Sequence, residues 1–186
     1  MDLIQQIAAY SPVNAQEEAD KRVILHHLQS GGDIYTRENL TAHMTASAWI
    51  VSPDRTQVLM AFHKIYNSWA WLGGHADGER DMAAVARREA MEESGLTDVR
   101  LLTPDPISVE VLTVDGHEKR GAYVPSHLHL NVTYLFEADP CLPLRIKSDE
   151  NSGVAWIRMG EIGEKSNEPW FCQRIYPKLC AKAKQY

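Results

Sequence analysis

Cysteine is scarce and unsuited to cross-linking. Cys141, Cys172 and Cys180 are an odd number with no CxxC spacing, which argues against a disulfide framework and a zinc knuckle and points to a reducing compartment. The amino terminus lacks the basic region and long apolar run of a signal peptide, and no stretch approaches the length of a membrane span. The expectation is therefore a cytoplasmic protein with no membrane attachment. Positive charge is also short: 19 Lys and Arg stand against 25 Asp and Glu, a net charge of -6. That balance disfavours a nucleic-acid binder held by a diffuse basic surface. It still permits anionic substrates, because a bound divalent cation inverts the local sign. Internal repeats, low-complexity tracts and an interdomain linker are missing. What is present, 186 residues at 44% hydrophobic and 24% charged, suits one globular domain with room for terminal extensions.

The first forty residues read as helical. Leu3, Ile4 and Ile7 form a short apolar stripe that stops at Ser11-Pro12. Asn14 with Glu17 three residues later forms a capping-box pattern, opening a helix that carries Ala19, Val23, Ile24 and Leu28 and ends at Gly31-Gly32. His26 and His27 on it are expected at the surface or in ordinary packing. From Thr45 the pattern turns to strands: Ala48 to Val51 and Gln57 to Phe62 predict a hairpin across Pro53-Asp54-Arg55. Trp69-Ala70-Trp71-Leu72 leads into Gly73-Gly74, and an Ala-rich helix is predicted over 81–94 with Gly95 at its stop. Strands follow over 109–114 and 127–136, separated by a polar connection, and again over 154–157. A last helix is predicted over 168–184, with Trp170, Ile175 and Leu179 as packing candidates and Pro177 as an interruption.

The stretch 73–96 carries the chemistry. On a helix, Glu89, Glu92 and Glu93 stand at i, i+3 and i+4 and share one face. Like charges this close repel, and a hard cation such as Mg²⁺, which prefers carboxylate and water oxygens, relieves the conflict. An acidic solvated face would show the same spacing. Against it, Met82, Val85 and Ala86 lie on the same stripe, so the face is expected to turn toward the protein and a cleft.

This stretch resembles the Nudix signature. Gly74 takes the opening glycine, Arg88-Glu89 the Arg-Glu pair, Glu92-Glu93 the double glutamate and Gly95-Leu96 the close. Two positions depart from the pattern: Arg80 stands where the signature has its first glutamate, with Glu79 and Asp81 beside it, and Ala90 fills an aliphatic position. The resemblance covers roughly residues 43–160. It implies an α/β fold, a Nudix-like α/β/α sandwich with a mixed sheet and additional N-terminal and C-terminal helices. The chain then divides into an N-terminal helical extension, 1–42, and a Nudix domain, 43–186, that includes the C-terminal helix. It also implies a pyrophosphohydrolase of a small diphosphate-containing molecule, such as a nucleoside diphosphate linked to another moiety, with Mg²⁺ or Mn²⁺ as cofactor. Glu89, Glu92 and Glu93 become the metal ligands, and Glu92, Glu93 or the late-loop Glu150 become candidates for the base, with Glu118 second among late-loop carboxylates. Arg88 and Gly95 are expected to be structural, Arg88 by pairing a carboxylate. Dimers are frequent in the family, and the extra helices are available for a homodimer.

Several other residues are candidates for substrate contact. Gly73 and Gly74 can let backbone approach metal or phosphate, although a tight turn would need only their conformational freedom. Along 126–133 the side chains alternate, so His127, His129, Asn131 and Thr133 share one face, usually a solvated one. His127 and His129 could contact a phosphate. A zinc site is not expected, because the sequence offers them no evident third ligand. Lys119 and Arg120 could form a solvated loop or meet phosphate, and Tyr66, Trp69 and Trp71 could stack on a base or fill the core.

Three other readings compete. A catalytically weak Nudix-fold ligand-binding or sensing module is favoured by Arg80 and disfavoured by the retained glutamates. An isoprenoid diphosphate isomerase would want a reactive cysteine near the metal, and all three cysteines lie well after the signature. RNA-cap removal would want a basic channel.

Overall fold

Two capped helices begin the chain in the computed structural model, which describes residues 1–119, 121–149 and 151–186. Asp2 and Gln5 form a reciprocal capping box for α1 (Leu3–Ala9), which buries Leu3 and Ile7. Asn14 caps α2 (Ala15–Gln29) by accepting from the Glu17 N–H. Only half of the predicted box forms. The Glu17 carboxylate reaches Val13 N–H and the protein interior, where the residue has no exposed surface. Val23, expected to pack, is exposed, because α2 turns Ile24 and Glu17 inward.

The predicted hairpin is the start of an eight-stranded sheet. Its strands are β1 (Ala42–Val51), β2 (Gln57–His63), β3 (Ser68–Ala70), β4 (Leu72–His75), β5 (Arg100–Leu101), β6 (Ser108–Val114), β9 (His127–Glu137) and β10 (Asn151–Arg158). The main path runs β10-β2-β1-β9-β5, with β3 on β2, β4 on β1 and β6 on β9. β1 and β9 are parallel and the other pairs antiparallel, so the sheet is mixed. The polar connection after β6 contains a small hairpin of its own, β7 (His117–Lys119) with β8 (Ala122–Val124), where a loop was expected.

Alternation along β1 and β9 gives the sheet two different faces. On one, Met44, Ala46, Leu130 and Val132 pack with Met82, Val85, Ala86 and Ala90 of α3 (Met82–Ser94). On the other, Trp49, Met60, Leu135 and Ile157 pack under Ile175, Tyr176 and Leu179. Helices on both faces make the α/β/α sandwich. After β10 come a short 3₁₀ turn, α4 (Ile162–Lys165), a π turn over Phe171–Ile175 and α5 (Tyr176–Ala183). Pro177 does not kink a continuous helix; it lies in the first turn of α5, where its missing N–H is tolerated. Trp170, expected to pack, is exposed and stacks under Arg174 instead. α2 lies along β6, and the Asp20 carboxylate accepts from Val111 N–H, so the N-terminal segment covers an edge strand.

Candidate active site

Asp81 caps α3 by accepting from Ala84 N–H, and Gly95 ends it at φ 74, a conformation that costs a glycine little. The stripe predicted to turn inward does so: Met82, Val85 and Ala86 are buried, Glu93 is 5% exposed and the Glu89 side chain 13%. Glu92 differs. Its side chain is half exposed and lies 3.5 Å from Lys147.

Gly73 and Gly74 sit within β4, paired with Ser47 and Ala46, and neither has a positive φ. The turn explanation for these glycines is therefore replaced by close approach. A Cβ on Gly74 would fall 2.4 Å from the Glu89 carboxyl carbon, and one on Gly73 would fall 2.6 Å from the Ala46 carbonyl oxygen. The glycines bring bare backbone against the carboxylates, and Gly73 N–H donates to Glu93 Oε2 at 3.0 Å. Asn151 Nδ2 faces Glu93 Oε1 at 3.4 Å. Arg88 spans helix and strand, donating to the His75 carbonyl at 3.2 Å and to Glu89 Oε1 at 2.9 Å.

The signature loop is held by other means than its missing glutamate. Glu79 Oε1 accepts from the N–H groups of Arg80 and Asp81, and these bonds hold its carboxyl below the usual range. Arg80 stacks over the Tyr35 ring at 4.8 Å, Gly78 N–H donates to the Tyr35 carbonyl, and Arg37 pairs with Asp77. The N-terminal segment thus supports the loop directly.

The carboxylates open on a cleft of about 1270 Å³. Tyr66 and Trp71 also line it, as do His127, His129 and Asn131. The β9 face expected to be solvated is buried: His127 is 8% exposed, Asn131 1% and Thr133 0%. β1 and β6 flank β9 here, and side chains of α2 and α5 close over one end. At that end Glu110 Oε2 accepts from Asn131 Nδ2, and Asn131 Oδ1 accepts from Thr45 and Ser47. Glu110 Oε1 lies 2.9 Å from Lys178, which also reaches Glu17 at 3.0 Å.

At the other end four histidines converge. His43 and His129 are direct partners on β1 and β9, His75 ends β4, and His127 begins β9. His75 Nε2 and His127 Nε2 each lie 3.2 Å from His129 Nε2. Burial, then the neighbouring His75, His43 and His127, push the His129 pKa down to about 2, and burial lowers that of His43. The sequence exposed His127 and His129 but missed His43 and His75, which reach them only through strand pairing.

Glu150 and Arg120 lie outside the described residues. Glu118 is exposed on the small hairpin and does not line the cleft. Sequence reading gave no signal for Glu168, which lines the cleft with Oε2 lacking a hydrogen-bond partner; burial raises its carboxyl pKa. The three cysteines do not line the cleft, and burial pushes the Cys180 thiol up to about 11. No helix among the described residues is long and apolar enough to cross a membrane.

The arrangement resembles known proteins in family and in fold. Residues 41–179 match the model described as NUDIX domain. A NUDIX-family hydrolase from Clostridium perfringens is 20% identical, with a TM-score of 0.52 over 74% of this chain and 95% of that one. The E. coli dihydroneopterin triphosphate pyrophosphohydrolase is 12% identical, with a TM-score of 0.55 over 75% and 96%. A C. elegans Ap4A hydrolase is 15% identical, with a TM-score of 0.51 over 77% and 98%. No curated protein sequence matches the chain. At these identities the solved structures speak for the fold, while the match over most of the sequence decides the family: the chain belongs to the Nudix hydrolases.

Proposed function

We propose that the protein is a metal-dependent pyrophosphohydrolase acting on a nucleoside diphosphate linked to another moiety, or on a related small diphosphate. The observation that carries this reading is the placement of Glu89 and Glu93 against the bare backbone of Gly74 and Gly73, at the wall of a large cleft. A side chain on Gly74 would collide with the Glu89 carboxylate, so the bare backbone lets that carboxylate lie against β4 at the wall of the cleft. Its oxygens suit Mg²⁺ or Mn²⁺, which bind through one or two carboxylates together with water and substrate phosphates.

Glu89 and Glu93 would hold the metal, with Glu92 joining from the mouth of the cleft. A divalent ion there supplies charge neutralisation on the phosphate oxygens and lowers the pKa of the attacking water. Gly73 N–H and Asn151 orient Glu93, and Arg88 holds β4 to α3 so that the carboxylates keep their spacing. A water oxygen bonds to phosphorus as the bridging P–O bond breaks, and a carboxylate takes the water proton. Glu92, Glu93, Glu150 and Glu168 are the candidates for that base. Tyr66 and Trp71 offer aromatic surface for a base, and His127 and His129 offer polar contacts for phosphate. The substrate names of the Ap4A and dihydroneopterin triphosphate hydrolases are consistent with a small diphosphate-containing ligand.

Phosphate release from nucleotides, nucleotide sugars and dinucleotides with Mg²⁺ or Mn²⁺, beside Glu93→Gln, tests the reading. Metal-dependent turnover of one compound, abolished in the variant, is the expected result. Tight metal-dependent binding with no turnover would favour the sensing module, the reading suggested by Arg80 stacking on Tyr35 in place of the first signature glutamate.

A further inference from the structure

We propose that His43, His75 and His129, with His127 beside them, form a second metal site, for a borderline divalent transition ion such as Zn²⁺. The ligand nitrogens of His43, His75 and His129 all lie within 4.8 Å of one another. The His75–His129 and His127–His129 Nε2 separations are each 3.2 Å. Nitrogens about 2.0–2.1 Å from a tetrahedral zinc stand roughly 3.3 Å apart, so these short contacts have the spacing of a ligand set.

Hydrogen bonding alone does not account for the cluster. A ring nitrogen has one lone pair or one proton in its plane, so His129 Nε2 can make one straight hydrogen bond, yet it faces two imidazoles. His43 Nε2 is buried and has no hydrogen-bond partner, in a residue only 5% exposed. A buried polar atom left in this state costs free energy. A cation offers every inward nitrogen a partner at once.

The outer nitrogens are already arranged for this. His43 Nδ1 lies 3.1 Å from the Asn39 carbonyl and His127 Nδ1 lies 2.8 Å from that of Pro125. A carbonyl oxygen only accepts, so each Nδ1 carries the proton and each Nε2 presents its lone pair to the cluster. Metal-bound histidines characteristically donate their other nitrogen to such a carbonyl, which fixes both tautomer and ring orientation. Imidazole nitrogen favours Zn²⁺ over Mg²⁺, whereas Glu89 and Glu93 favour the harder ion, so the two sites sort metals by ligand type. Both line one cleft. The proposal does not depend on the hydrolase reading.

The test is a Co²⁺ titration of chelator-stripped full-length protein, read by visible ligand-field absorption and repeated with Zn²⁺ in competition. One equivalent should bind wild type and Glu89→Gln alike, and at least about tenfold more weakly to His43→Ala and His129→Ala. Wild type that binds no Co²⁺ would overturn the proposal. So would uptake lost in Glu89→Gln but kept in His43→Ala, which would return the ion to the carboxylates. Should the histidine variants fail to fold, ¹⁵N imidazole spectra of wild type with and without Zn²⁺ decide the matter. Shifts of the His43, His75 and His129 Nε2 resonances support the site, and unchanged resonances refute it.

Discussion

The polar face of the sheet treats buried polarity in opposite ways at its two ends. At the end beneath α2 and α5, Glu17, Glu110, Lys178 and Lys182 form a closed set. Lys182 reaches both Glu17 oxygens, the Ile107 carbonyl and Tyr10, while Lys178 bridges Glu17 and Glu110. Opposite charges are matched and the remaining acceptors are taken by Ser108, Asn131 and Thr133. At the cleft end the imidazoles crowd one another with His43 Nε2 left without a hydrogen-bond partner, and the carboxylates of α3, which packs on the opposite face, meet the cleft past the bare glycine backbone of β4. A saturated cluster can only hold the fold together. An unsaturated one has capacity left for a ligand.

The comparison predicts where substitutions hurt. The largest effect belongs to the closed end: Glu17→Ala takes the carboxylate from the buried Lys178 and the half-buried Lys182 and should cost about 3–5 kcal/mol in chemical denaturation. A loss below 1 kcal/mol would mean that the knot is dispensable. At the open end, Glu93→Gln should lower turnover by about a hundredfold or more while leaving the melting temperature nearly unchanged, since a Gln oxygen can still accept from Gly73. An equal loss in both measurements would erase the difference between the ends.

The glycine pair divides the same way on a smaller scale. Gly73→Ala meets backbone at Ala46 and should destabilise by about 1–3 kcal/mol. Gly74→Ala meets only the Glu89 side chain, which can move, so it should weaken Mg²⁺ or Mn²⁺ affinity more than it lowers the melting temperature. Metal titration and thermal denaturation of the two variants check this.

The pH dependence should come from the closed end. Burial alone would raise the Glu17 pKa, but the Val13 N–H and Lys178, with Tyr10 and Lys182, outweigh burial and bring it from 4.5 to about 2. A depressed carboxyl contributes stability that is fully present above about 4.5 and disappears as the pH falls toward 2. Denaturation midpoints of wild type should fall across that window, and those of Glu17→Gln should fall less.

Much of the carboxylate end was legible in the sequence because it is local. Glu89 and Glu93 lie on a single helix capped by Asp81 and Gly95, where spacing alone gives direction, and the apolar stripe from Met82 to Ala86 predicts which way it turns. Even there, periodicity set Glu92 beside its neighbours, and only packing left it half exposed against Lys147. The glycines were legible as residues that permit close approach, but not as members of β4. The histidine cluster was half legible. Alternation placed His127 and His129 on one face, while His43 and His75 are 84 and 54 residues before His127 and His129 respectively joins them through the pairing of β1, β4 and β9. The same distance hid the closed end, where Glu17 and Lys182 are 165 positions apart.

The sequence by itself determined the family, the helix that carries the carboxylates and the alternation of the strands, because each rests on contacts within a few residues or on a contiguous motif. Tertiary structure alone decided which polar residues are buried, which glycine meets a carboxylate and which imidazoles meet one another. Those outcomes depend on strand register, and a register shift of one residue would send each of these side chains to the opposite face of the sheet.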